Sequence, residues 1–178
     1  LLYVPGREDG IKKLIDSKIP IIIHSKIHDQ IISLEEGEEI FRRTDDFANR
    51  IKSDYIIIHP WLKKRSDIII FLERNRKNSR ITIENVPKIG IYEGEEFFGH
   101  SIEDISSFLG IGQFNFCLDI NHAIKAAASH RLDYKKYLTE FIRLKPRIIH
   151  IGGGTKEVEK DEHVNLEEGN YDLKFIKE

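Results

Sequence analysis

The stretch Tyr55-Ile-Ile-Ile-His59-Pro60-Trp61 decides the fold. Its apolar residues run without alternation, as in a strand covered on both faces, and a reactive side chain and a proline end the run. The strand is placed over Tyr55–Pro60. Working outward, five more short apolar runs read the same way: Leu1–Pro5, Pro20–Ser25, Ile81–Asn85, Phe114–Ile120 and Arg147–Gly152.

Helical patterns fill the intervals. Ile40, Phe41, Phe47, Ala48 and Ile51 share one face of a 3.6-residue period. Ser66 stands as an N-cap before Ile68–Leu72, and Ser101 with Asp104 forms a capping box closed by Gly110. A longer helical region spans Asn121–Lys145 with a break near His130. Strand and helix in alternation predict an α/β chain with a parallel sheet and right-handed crossovers. No linker or low-complexity segment divides it, so residues 1–178 are expected to form a single domain. A (β/α) barrel and an open doubly wound sheet both satisfy this pattern.

The placement of reactive residues separates the two. The second run ends in His24-Ser25, the third in His59-Pro60 and the fourth in Glu84-Asn85. The fifth ends in Asp119-Ile-Asn-His122 and the sixth in His150. From His24 through His59, Glu84 and Asp119 to His150 the steps are 35, 25, 35 and 31 residues, each about one βα unit. Five consecutive strands thus deliver a metal-competent side chain at their C-terminal ends. A barrel gathers those ends on one face, whereas an open sheet spreads them along a line.

Imidazole and carboxylate together suit zinc, manganese or iron better than magnesium. Asp161 and His163, two residues apart, are placed to chelate one ion from an extended loop. Gly152-Gly153-Gly154 is expected to keep the approach to that loop flexible, and it lacks the spacing of a dinucleotide fingerprint. Taken singly, each residue has a plainer reading. A lone strand-end histidine is usually structural, Glu84 could serve a cap or an ion pair, and Asp119 could cap a helix with His122 as a surface imidazole. Five together are harder to dismiss, because burying them unpaired is costly. His28, His100 and His130 are read as surface or loop residues, and Cys117 as core filler. No Ser-His-Asp or Cys-His nucleophile pattern competes.

Composition excludes several classes. Hydrophobic residues make up 40% of the 178 and charged residues 33%, an ordinary globular balance. No apolar run approaches the roughly 20 residues of a membrane span, and Leu1 does not open a signal peptide. The single Cys117 suits a reducing, cytoplasmic setting. A net charge of −2 does not announce a nucleic-acid binder. The absence of Met, an opening in a strand and an ending in a helical pattern suggest a sequence trimmed at both ends.

In order and spacing these motifs resemble the xylose isomerase-like TIM-barrel superfamily, and within it the endonuclease IV family of abasic-site nucleases. The resemblance runs from about Pro20 to Glu178. It rests on His24, His59-Pro60, Glu84-Asn85, Asp119 with His122-Ala123, His150, and Asp161 with His163 and Gly169. It implies an incomplete TIM barrel, with six of eight strands visible, and two or three metal ions, zinc or manganese. His24 and His59 would hold one ion, sharing Glu84 as a bridge to a second completed by Asp119 and His150. His122, Asp161 and His163 would hold the third. Glu84 would be the catalytic residue and duplex DNA with an abasic site the substrate. The family's last ligand is a Glu on the eighth strand, and Asn170–Glu178 reads as the helix before it.

Two departures keep alternatives open. The family's His-Pro-Gly is His-Pro-Trp61 here, and the loops that would grip DNA are short. Lys63, Lys64, Arg65, Arg74, Arg76, Lys77 and Arg80 offer a basic stretch for phosphates, or simply a solvated helix face. Trp61 is placed to stack on a base or to cover the barrel rim. A sugar isomerase or epimerase with one ion held by Glu84, Asp119 and His150 is the rival enzyme, and a metal-stabilised barrel without activity the third reading.

Overall fold

In a computed structural model, the isoleucine triplet of the deciding stretch forms strand β3 (Ile56–Ile58), with all three residues buried. The structure describes residues 2–3, 11–16, 18–25, 32–60, 62, 64–89, 97–162 and 164–177. Its contacts gather into two compact units, Leu1–Ile83 with Phe108–Asn115, and Glu84–Ser107 with Phe116–Glu178.

The first unit is built on parallel pairing. Strand β1 (Leu2–Tyr3) pairs with β2 (Ile23–Ser25), β2 with β3, and β3 with β4 (Ile81–Glu84). The register sets His24 opposite Ile57 and Ile58 opposite Ile83. After the short helix α1 (Ile11–Asp16), the main cover comes from α2 (Leu34–Ile51) and α3 (Arg65–Arg74). Helix α2 opens with a capping box, in which Ser33 Oγ accepts from the Glu36 N–H and Glu36 Oε2 from the Ser33 N–H. Its buried residues, Gly37, Phe41, Thr44, Phe47, Ala48 and Ile51, trace the predicted stripe, though Ile40 lies at its margin. Gly37 allows a close approach, since a Cβ there would meet Leu62 Cδ2 at 2.7 Å.

Helix α3 corrects one expectation. Its N-cap is Lys64, extended and without a side-chain capping bond, and Ser66 sits exposed inside the first turn. The serine marks the right neighbourhood but not the residue whose backbone turns.

In the second unit β5 (Asn115–Asp119) pairs in parallel with β6 (Ile148–His150), and the register sets Asp119 opposite His150. Helix α4 (Ile102–Leu109) begins as half of the expected box. Ser101 Oγ accepts from the Asp104 N–H, but Asp104 Oδ2 accepts from the Gly99 N–H instead of returning to Ser101. The helical region after Asp119 breaks where the sequence places it. Helix α5 (Ile120–Ser129) stops at His130, Arg131 turns through φ 56°, and Asp133 caps α6 (Tyr134–Arg143).

The glycine run is closely packed. A Cβ on Gly153 would lie 1.9 Å from the Asn165 carbonyl oxygen, and the Gly153 N–H bonds to the Val164 carbonyl at 3.1 Å. The closing segment differs as well: Leu166–Glu168 and Lys174–Lys177 are 3₁₀ turns, not an α-helix. Among the described residues, no helix is long and apolar enough to cross a membrane.

Candidate metal centre

Glu84 is the last residue of β4, and its side chain is 1% exposed. Asp119 ends β5 and at the same time caps α5, its Oδ1 accepting the His122 N–H at 2.8 Å. The plain cap reading of Asp119 therefore holds alongside any other role. His122, in the first turn of α5, is buried, which corrects the surface reading of that imidazole. His150 ends β6 and remains partly exposed. Asp161 comes from the loop after the glycine run, with a side chain 6% exposed.

These five side chains meet in the second unit. His150 Nδ1 lies 3.0 Å from Glu84 Oε1 and 3.9 Å from Asp119 Oδ2. His122 Nδ1 lies 3.7 Å from Glu84 Oε1 and 3.8 Å from Asp119 Oδ1, while its Nε2 lies 3.4 Å from Asp161 Oδ2. An open pocket of about 280 Å³ lies over the cluster, lined by Asp119, Asn121, His122, His150, Gly152 and Asp161 among others.

Asn85, quoted in the sequence only as the partner of Glu84, organises the cluster. Its side-chain amide donates to the Asp119 carbonyl at 2.9 Å and accepts the Asp119 N–H at 2.8 Å, a two-sided clamp on the end of β5. Its own carbonyl oxygen accepts from His122 Nδ1 at 2.9 Å. With Nδ1 committed to donation, the nitrogen of His122 left to accept or to ligate is Nε2, which faces Asp161.

The electrostatics fit a cation. Burial by itself lowers the His122 pKa, but Asp119, Asp161 and Glu84 outweigh it and raise the imidazole to about 10. His150 is raised by its hydrogen bond to Glu84, against the effect of burial. Burial raises Asp119, with His122 acting in the other direction. Both histidines are thus held up by the carboxylates around them, an environment that favours positive charge at the cluster. Spacing agrees: two ligands on one tetrahedral zinc, at 2.0–2.2 Å from it, stand roughly 3.3–3.6 Å apart. The pair His122–Asp161 at 3.4 Å meets this, and Glu84–His150 at 3.0 Å falls short of it, at hydrogen-bond distance. Ligand atoms of Glu84, Asp119 and His122, and of Glu84, Cys117 and His150, all lie within 4.8 Å of one another in each set. Burial pushes the Cys117 thiol up, which keeps it neutral and in keeping with a packing role.

In the first unit His24 and His59 lie edge to face, with ring centroids 4.8 Å apart. His59 is buried and His24 half-buried, with His24 Nδ1 3.1 Å from the Ser25 carbonyl oxygen. His163, the other expected loop ligand, lies outside the described residues, as do His28, Trp61 and Lys63. Of the remaining basic stretch, Arg65 covers the Phe108 ring at 5.4 Å, Arg74 pairs with Glu38 at 2.5 Å and Arg80 with Asp45 at 2.7 Å. Lys64, Arg76 and Lys77 are exposed.

Three residues near the cluster carried little signal in the sequence. Asn121 donates to Asp161 Oδ1 at 2.5 Å, and Lys125 pairs with Glu162. A lysine inside the apolar run after His122 is the one visible cue. His100 and His130 lie outside helices and strands, as expected of loop residues. They are half-buried and their rings hydrogen-bond to each other at 3.1 Å, with the Tyr137 hydroxyl donating to the His100 carbonyl.

Fold and site together define an α/β protein of parallel βα units with a carboxylate–imidazole cluster at strand ends. Among solved structures, endonuclease IV from Thermus thermophilus is similar, at a TM-score of 0.65 and 18% identity over 94% of this chain and 67% of that one. At that identity the likeness shows the fold alone, in keeping with an incomplete TIM barrel. No protein-family profile matches the chain. No curated protein matches it significantly.

Proposed function

We propose that this chain is a metal-dependent phosphodiester hydrolase of the endonuclease IV kind, acting on DNA at abasic sites. The observation that carries the reading is the presence of two donor sets in one cluster. Glu84, Asp119 and His150 form the first. His122 Nε2 with Asp161 Oδ2 forms a second, kept apart because Nδ1 is occupied by Asn85. A one-ion site needs only the first. His24 and His59 are proposed as a further imidazole pair for an ion, and His163 as the remaining loop ligand.

Zinc or manganese at such a site supplies hydroxide near neutral pH and positive charge for phosphate oxygens. The protein's part is to fix the donors. Glu84 is the most deeply buried carboxylate of the cluster and touches His150, so it holds the centre of the cluster and is proposed as its catalytic carboxylate. Asp119 is immobilised by its cap and by Asn85. Exposed Lys64, in the connection from β3 to α3, is the proposed phosphate contact, since Arg74 and Arg80 are engaged with α2 and Arg76 and Lys77 lie between α3 and β4, at the opposite end of the strands. A single barrel domain and a cytoplasmic location complete the reading, the latter supported by the lone reduced-type cysteine.

One observation favours a second reading. The pocket of about 280 Å³ approaches the size of a small-molecule site, as in a single-metal sugar isomerase. Metal content separates the two. Protein prepared without chelator should carry two or three transition-metal ions. A single ion, lost in His150→Ala and retained in both Asp161→Ala and His24→Ala, would replace the hydrolase reading with the isomerase.

A further inference from the structure

Within its long buried stretch, α5 carries one lysine, Lys125, whose side chain is 0% exposed. A buried ammonium persists only when paired. Lys125 Nζ donates to the Thr155 carbonyl oxygen at 2.7 Å and to Glu162 Oε2 at 2.5 Å. The same Glu162 oxygen accepts the Thr155 N–H at 2.7 Å, and Glu162 Oε1 accepts the Thr155 hydroxyl at 3.3 Å. One side chain therefore ties both ends of segment 155–162 to α5.

The placement of the pair is specific. Lys125 follows His122 by three residues, on the same side of the helix, and Glu162 adjoins Asp161. Each member of the ion pair thus neighbours one of the two residues read above as the second donor set. The loop backbone rests directly on this part of the helix: a Cβ at Gly154 would lie 2.5 Å from Asn121 Oδ1 and 3.0 Å from Lys125 Nζ. Asn121 then fixes Asp161 Oδ1, which leaves Oδ2 toward His122.

We propose that Lys125 and Glu162 are a positioning pair for the metal centre, pinning segment 155–162 to α5 so that Asp161 Oδ2 stays at ligand distance from His122 Nε2. This rests on the reading of His122 and Asp161 as ligands. Lys125→Met keeps the chain length and removes the buried charge, while half-open Glu162 retains Thr155 and gains water. The variant should therefore fold. Glu162→Gln leaves an ammonium buried and is the harsher change.

The test is titration of metal-free protein with Co²⁺, followed by calorimetry and visible absorbance, with Asp161→Ala and His150→Ala assigning the two sets. In Lys125→Met the ion assigned to His122 and Asp161 should weaken by about 10–100-fold, with an altered cobalt spectrum. The ion assigned to Glu84, Asp119 and His150 should keep its affinity. Adding Glu162→Gln to Lys125→Met should cost little more, because the pair acts as a unit. Should Lys125→Met fail to fold, Glu162→Asp, which keeps the buried ammonium paired but shortens the reach to Thr155, should show the same selective loss. Unchanged affinities in a folded variant would overturn the pair's role, as would an equal loss at both sets. Wild-type protein that takes no ion dependent on Asp161 would overturn the ligand reading itself, and the pair with it.

Discussion

His122 Nε2 stands 3.4 Å from Asp161 Oδ2, the separation of two ligands on one tetrahedral ion. Without an ion, burial disfavours charge on His122, but the carboxylates around it outweigh burial and raise the imidazole to about 10. This pairing gives the metal-free and metal-bound states different proton counts.

The first consequence is for stability of the metal-free protein. The folded-state pKa of His122 lies above the ordinary 6.5, so its contribution is fully present below pH 6.5 and lost as pH rises toward about 10. Denaturant midpoints measured across that range should fall, and the fall should be shallower in His122→Gln. Parallel curves for the two proteins would show that His122 carries no such proton.

Metal uptake should also release protons. Ligation needs Nε2 bare, so binding of Zn²⁺ at pH 7 should expel about one proton from His122. Calorimetric titrations in two buffers of different ionisation enthalpy measure the number, and His122→Gln should reduce it by that one. A proton count unchanged by the substitution would separate His122 from the ion.

Asp119 combines two roles that substitution can divide. Asp119→Asn keeps an oxygen for the His122 N–H and should leave stability within about 0.5 kcal/mol, whereas Asp119→Ala loses the cap at a cost of about 1 kcal/mol. Both should lose metal affinity, because neither supplies a carboxylate. Equal metal binding by Asp119→Asn and the wild type would reduce Asp119 to a helix cap.

The Asn85 clamp should be expensive to remove. Asn85→Ala leaves the N–H and carbonyl of Asp119 without their partners at the end of β5, a loss of roughly 2–4 kcal/mol in urea denaturation. Metal affinity should fall by about 10–100-fold in the same variant, since Asp119 loses the support that aims it.

Much of this was legible in the residues because the strands are dense in isoleucine and end in unlike chemistry. All six strands lie inside the apolar runs that mark them, shorter by one to three residues at their ends, where backbone pairing stops before hydrophobicity does. The cap on α5 and the break at His130 were visible for local reasons: an Asp before an apolar helix, and a polar turn before Asp133. Features that depend on distant partners were not. Ser66 looks like a cap, but the backbone turns at Lys64. The glycine run reads as a flexible approach to the loop, and its close packing shows only in the fold, where Asn165 leaves no room for a side chain at Gly153. His100 and His130 are 30 residues apart and find each other only in the fold. Lys125 and Glu162, 37 apart, do the same.

The central claim is hydrolysis of a phosphodiester by a multi-ion site centred on Glu84, and strand cleavage tests it directly. Metal-loaded protein incubated with duplex DNA carrying one abasic site should cut at that site and leave a free 3′-hydroxyl. Glu84→Gln, which keeps the side-chain shape and removes its charge, should abolish cutting while circular dichroism shows the fold retained. Abasic DNA left intact by fully metal-loaded protein, with a ketose converted to its epimer by the same preparation, would contradict the account.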